Sequence, residues 1–257
     1  MTRILATTAV AAGLAVASAQ TLSSNCQNSL TTIVQNNDAS ACLAPSALVG
    51  IAAANSSQSL VDPINTWVNS VCGSPSCSNS TLEFIVNTVT DGCSTELSVL
   101  GYDSSQKAQI TEIVKQVYPT ARKVVCLQSG NEKCITKELK AVESSIGTLS
   151  VDNIVKLVST LSFNNQTIPK DVYCSDCTKA AYNAINEDFP GTFDDSKSDI
   201  QQQCGASFVD GQNPSGVSQS AASTSGGNGG NGAMFGALPS LATSGLVVLG
   251  GLFALVA

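Results

Sequence analysis

The chain has 257 residues with 12 basic and 19 acidic side chains, a net charge of −7, so it lacks the basic stripe that phosphate backbones need and argues against nucleic acid as a partner. It contains no histidine, which removes Ser-His-Asp and Cys-His nucleophile systems, histidine-bearing zinc sets and the usual proton shuttle near neutral pH. Ten cysteines and an aromatic content of 5% point to disulfide staples and leave little material for the stacked platforms of a carbohydrate-processing enzyme.

At the N-terminus, Arg3 precedes an apolar run from Ile4 to Val16, and Ala17-Ser18-Ala19 offers small residues before Gln20. The run is about 14 residues, against roughly 20 for a membrane-crossing helix, so 1–19 reads as a cleaved secretory signal. Loss of Arg3 leaves a mature net charge of −8.

Apolar periodicity is helical through most of the mature chain. Weaker stripes mark 27–36 and 45–54. Ile64, Trp67, Val68 and Val71 share one helix face, where Trp67 reads as core; an apolar-ligand pocket lined by Trp67 is the sharper alternative. Leu82, Ile85, Val86 and Val89 follow the capping-box pattern Ser80-Thr81-Leu82-Glu83 and predict a helix over about 80 to 91. Ile110, Ile113, Val114 and Val117 predict another, capped by Ser104 or Ser105 and ending before Pro119. Further helices are expected at 136–146, behind Ser150 from Val151 to Val158, at 176–187, and at 195–204 with Gly205 as the terminating residue. No alternating run argues for a sheet. The expected fold is all-α, a disulfide-stapled helical bundle.

From 210 to 232 the chain is rich in Ser, Gly, Asn and Gln, which reads as a disordered linker that lifts a 20–209 domain off a surface. No charged residue follows Asp210, and the small residues Ser225 to Ala233 lead through a short spacer to the apolar tail Leu241 to Ala257. That order is the attachment signal for a glycosylphosphatidylinositol (GPI) anchor, with Asn228 as the expected attachment residue, Asn231 and Ser225 as rivals, and 229–257 removed. A retained tail anchor is the alternative, and the lack of flanking Lys or Arg counts against it.

The cysteines fall as Cys26, Cys42, Cys72, Cys77, Cys93 and then Cys126, Cys134, Cys174, Cys177, Cys204. Five in each half suggests two pseudo-repeats, about 20–103 and 104–209. Because five is odd, full oxidation demands at least one bridge between the halves. Local closure of Cys126 with Cys134, and a helix-spanning bridge from Cys177 to Cys204, are the expected pairs. Asn55, Asn79 and Asn165 head N-glycosylation sequons.

Two clusters invite a chemical reading. Cys174-Ser175-Asp176-Cys177 has the spacing of a thiol redox motif, and the two close cysteine pairs could supply four zinc ligands, but secretion favours structural bridges for both. Asp194 and Asp195, with Glu187 and Asp188 upstream, offer paired carboxylates for glycoside hydrolysis; the plainer reading is that Asp194 and Asp195 charge the first turn of the helix ending at Cys204. No motif calls for a cofactor.

Five segments carry a resemblance: Ser40-Ala41-Cys42-Leu43, Pro63-Ile64-Asn65-Thr66-Trp67, Tyr118 to Cys126, Cys174 to Asn183, and Cys204 to Gly211. Together they resemble an uncharacterised family of small secreted fungal proteins, chiefly from basidiomycetes, built from a signal peptide, a cysteine-rich helical domain and a Ser/Gly tail with a lipid-anchor signal. The resemblance implies location and transfers no catalytic residue. The chain lacks both the adjacent Cys-Cys pair of plant lipid-transfer proteins and the clustered cysteines and Asp of fungal haem-binding surface domains. The expected role is that of a non-enzymatic GPI-anchored cell-surface or cell-wall glycoprotein that contacts wall glycans or surface proteins and meets the outer leaflet through its lipid. Carriage of a lipid, sterol or other apolar ligand is the alternative, and a carboxylate-only hydrolase the third reading.

Overall fold

In the computed structural model, which describes residues 22–48, 56–99, 101–153 and 169–222, the apolar stripes become helices, several of which begin at small polar caps. The signal sequence, Asn55, Asn165, Asn228 and the apolar tail lie outside the described residues. Ser23 accepts the amide of Cys26 to start α1, Ser24–Gln35, and Asn36 accepts that of Ala39 to start α2, Asn37–Leu43. A 3-10 turn, Pro45–Leu48, stands where the 45–54 helix was expected, and 49–55 lie outside the described residues. Then come α3, Val61–Gly73, and α4, Asn79–Gly92.

The cap of α4 is Ser78, whose hydroxyl accepts Thr81 N–H at 3.1 Å, two residues before the expected Ser80. After α5, Ser94–Val99, Asp103 and Gln106 form the capping box that leads into α6, Lys107–Val125, in place of a Ser104 or Ser105 cap. A second departure is Pro119, expected beyond this helix yet found inside it. Proline removes one backbone donor, and tertiary partners hold the next turn: Thr120 donates to Asp188 at 2.7 Å, Arg122 is buried, and Cys126 is bridged to α3.

Beyond α6 the chain makes a hairpin, β1 Leu127–Ser129 and β2 Glu132–Lys133, and enters α7, Cys134–Ile146. Of the helix expected behind Ser150, residues 151–153 are described. Two more helices, α8 Lys170–Tyr173 and α9 Asp176–Asp188, precede α10, Lys197–Cys204, which stops at Gly205 with φ 92° as expected. The all-α expectation therefore holds, apart from a small sheet.

That sheet has the order β2-β1-β3, both pairs antiparallel, and its third strand, β3 Val217–Gln219, comes from the expected linker. Leu127 pairs with Gln219 and Ser129 with Val217. Residues 210–222 are thus part of the domain, which corrects the reading of 210–232 as disordered throughout. Lys179 pairs with Asp210 at 2.9 Å, and Asn183 donates to the Gln212 carbonyl and the Asn213 side chain. Ser220 N–H then reaches the Cys126 carbonyl at 3.0 Å, and Ala222 N–H the Cys72 carbonyl at 2.7 Å. A composition argument weighs side chains, whereas this strap is held largely by its backbone.

Five bridges staple the helices: Cys26–Cys93, Cys42–Cys77, Cys72–Cys126, Cys134–Cys177 and Cys174–Cys204. The expected Cys126–Cys134 closure does not form. The hairpin register, Gln128 opposite Lys133, sets Cys134 level with Leu127, so Cys126 faces the other way, into α3. Cys134 instead packs with Cys177 and Ala180 on α9, which leaves Cys174, and not Cys177, for Cys204. One bridge, Cys72–Cys126, joins the halves, as the parity argument required. Both halves link their second cysteine to their fourth and differ in the remaining pairs.

Two apolar clusters form around bridges. One gathers Ile33, Ala39, Ile85 and Val89 around Cys26–Cys93, and the other packs Leu48, Trp67, Val68 and Val71 against Cys72–Cys126. Where α1 meets α4, a Cβ on Gly92 would lie 1.7 Å from Ser29 Oγ and 3.1 Å from the Asn25 carbonyl oxygen. Gly92→Ala is therefore expected to cost about 1–3 kcal/mol through overpacking, read as a lowered melting temperature. Restoration by the double variant Gly92→Ala, Ser29→Gly would locate the clash, and an unshifted single variant would show that the helices yield.

Candidate functional site

The residues singled out from sequence do not converge on one place. Asn79 is exposed at the first position of α4, open to glycosylation, while Asn55, Asn165 and Asn228 lie outside the described residues. Cys174 and Cys177 belong to different bridges, so their spacing does not make a dithiol pair. Among the described residues no cysteine is free and no group of three or more Cys, Asp or Glu is placed to hold a metal ion.

The acidic cluster is split. Asp194 and Asp195 are exposed on a 3-10 turn, Asp194–Ser196, directly ahead of α10, whose own first turn carries Asp199. Asp188 at the end of α9 accepts from Thr120 and from Lys123 at 2.9 Å, and Glu187 lies 3.8 Å from the same ammonium. These two carboxylates brace α9 against α6. Trp67 fills the core as expected, 9% exposed, with its indole N–H donating to the Leu43 carbonyl at 2.9 Å.

The place where polar side chains do converge is a cleft of about 380 Å³ between α3, the β1–β2 turn and α7. Asn65 and Asn69, four apart on α3, form one wall; Ser129, Asn131, Glu132 and Lys133 come from the hairpin; Thr136 and Lys140 come from α7. The walls are joined: Thr136, 1% exposed, donates to Asn65 Oδ1 at 2.8 Å, and Asn69 donates to the same oxygen at 3.3 Å. Lys140 pairs with Glu132 at 2.8 Å, which holds its pKa above the ordinary lysine value. Lys137, one turn along, donates to Ser129 at 3.3 Å.

Lys133 is different. Its ammonium donates to Ser220 Oγ on the strap and to Gln128 Oε1 at 3.5 Å, and burial pulls its pKa below the ordinary value. None of the ion pairs among the described residues includes Lys133; the carboxylate of the cleft, Glu132, is paired with Lys140. A smaller groove of about 260 Å³ runs beside the strap, with Leu127, Ala180, Ala184 and Val217 among its lining residues together with Lys123 and Glu187.

Sequence reasoning missed the cleft because its walls are about 60 residues apart in the chain and belong to no motif. The available signals were the Asn65 and Asn69 pair within the α3 stripe, and Lys133, Lys137 and Lys140 crowded into so acidic a chain. No family model matches the chain, and no curated protein or solved structure matches it either.

Proposed function

We propose that this is a non-enzymatic cell-surface glycoprotein, secreted through the signal at 1–19 and held by a GPI lipid at Asn228, whose stapled domain meets wall glycans or surface proteins. Five disulfides belong to a chain that matures in an oxidising, extracellular pathway. Among the described residues, no helix is long and apolar enough to cross a membrane. The observation that carries the reading is how far along the chain the domain is tied: the Ala222 amide is bonded to the Cys72 carbonyl, six residues before Asn228. Backbone contacts of the domain thus reach to within a few residues of the expected attachment site. Six residues span at most about 20 Å, so the domain would sit close to its lipid and not on a long stalk. The resemblance to secreted fungal proteins supports the same location.

The experiment is to express the full chain on a secreting eukaryotic cell and treat the surface with phosphatidylinositol-specific phospholipase C. Release into the medium is expected, with a C-terminal peptide ending at Asn228 and bearing ethanolamine. Recovery of peptides from 241–257 in the mature protein would overturn the anchoring.

A further inference from the structure

We propose that the cleft between α3, the β1–β2 turn and α7 is a binding site for an acidic saccharide, whose hydroxyls pair with the carboxamides of Asn65, Asn69 and Asn131 and whose carboxylate is met by Lys133. The proposal names a ligand class for the surface role above and rests on that reading only for where the ligand is encountered.

Three observations carry it. The cleft, about 380 Å³, falls within the roughly 300–1,000 Å³ of small-molecule sites. Its lining is almost wholly hydrogen-bonding, with side-chain amides and hydroxyls that both donate and accept, and it presents no apolar wall for an acyl chain or sterol. Hydroxyl-bearing rings match such a surface group for group. The third observation is charge. Glu132 is balanced by Lys140, which leaves the half-buried Lys133 as the uncompensated charge of the cleft in a chain of net charge −7. Among the described residues the partners of Lys133 are a hydroxyl and an amide, and an ammonium withdrawn from water in that way gains most from an anionic partner. A neutral saccharide would leave that gain unused.

The site is also braced before any ligand arrives. Thr136 ties α7 to α3 through Asn65, and Ser220 holds the Lys133 ammonium while itself donating to the Cys126 carbonyl at 2.6 Å. A wall fixed in this way does not lose freedom on binding, which favours affinity in a small polar site.

The test is calorimetric titration of the glycosylated protein, recovered in detergent from a secreting host, with trigalacturonic acid and with maltotriose as the neutral comparator. Trigalacturonic acid is expected to bind at least about tenfold more tightly, since a charge-assisted contact is worth more than one 1.4 kcal/mol step. Lys133→Gln should remove that preference. Because Lys133 also touches the strap, Asn69→Asp is the second variant: exposed and remote from the strap, it removes one carboxamide contact from either saccharide and adds a charge that repels only the acidic one, so it should weaken trigalacturonic acid about tenfold more than it weakens maltotriose. Lys197→Gln, exposed on α10, should change neither. Equal affinity for the two saccharides, no binding of either, or binding indifferent to both cleft variants would overturn the assignment. Detergent recovery does not depend on lipid attachment, so failure of phospholipase release would sink the anchor and leave this result standing.

Discussion

Replacing Cys72 and Cys126 together by serine is expected to cost about 2–5 kcal/mol of folding free energy, the range for loss of a native bridge in a small secreted domain. The two side chains are 1% and 0% exposed and lie in the cluster that holds Trp67, Val68 and Val71. The serines would therefore place two hydroxyls in an apolar site besides releasing the one bond between the halves. Removing Cys174 and Cys204 in the same way is the internal comparison. That bridge closes a 30-residue separation against 54 for the cross-bridge, and its cysteines are half-buried. Loop entropy alone separates the two by only about 0.5 kcal/mol, so a larger difference reports burial. Thermal unfolding of both double variants decides the matter: equal losses would mean that the cross-bridge holds the halves no better than a peripheral staple.

Arg122→Met is expected to cost about 2–4 kcal/mol. Arg122 is 8% exposed, and its guanidinium donates to the carbonyls of Val71 at 3.3 Å, of Ala222 at 3.5 Å, and of Ser74. Two of these lie at the C-terminal end of α3, where backbone carbonyls run short of intrahelical partners and the helix dipole is negative, so a cation there does the work of a cap. The third belongs to the strap. Methionine keeps the apolar stem but leaves the part-buried Ser74 and Ala222 carbonyls without the guanidinium, while the Val71 carbonyl keeps the Ser74 N–H; a buried acceptor left unpaired costs about 1–3 kcal/mol. Arg122→Lys should recover little, because a single ammonium does not offer the planar fork that spans separate acceptors. In hydrogen exchange the variant should lose protection at Ser220 and Ala222, the strap amides bonded to Cys126 and Cys72. Stability within about 0.5 kcal/mol of the parent, with those amides still protected, would deny Arg122 this role.

The helices were legible because apolar residues recur with the helical period along single segments, as in Leu82, Ile85, Val86 and Val89, all buried in α4. What escaped depended on partners remote in the chain. Pro119 looks like a stop signal until Thr120 is seen to bond Asp188, 68 residues on. β1 and β3 are three residues each, too short to show alternation, and β3 lies in a stretch whose side chains announce a linker. The pairing of ten cysteines is not readable from spacing, and the hairpin register that turns Cys126 away from Cys134 is itself a tertiary fact. The cleft was invisible for the same reason: Asn65 and Thr136 acquire a joint meaning only when α3 and α7 lie side by side.

The strap also determines how the protein would bear tension. If a lipid is joined at Asn228 as proposed, a pull transmitted along the chain reaches Ala222, whose amide is bonded to the carbonyl of Cys72, and then Ser220, which is bonded to that of Cys126. Load is therefore delivered to the backbone of the two residues that share the inter-half disulfide. The force arrives at a covalent crosspiece joined to both halves, so tugging at the tether strains the two together instead of prising one from the other.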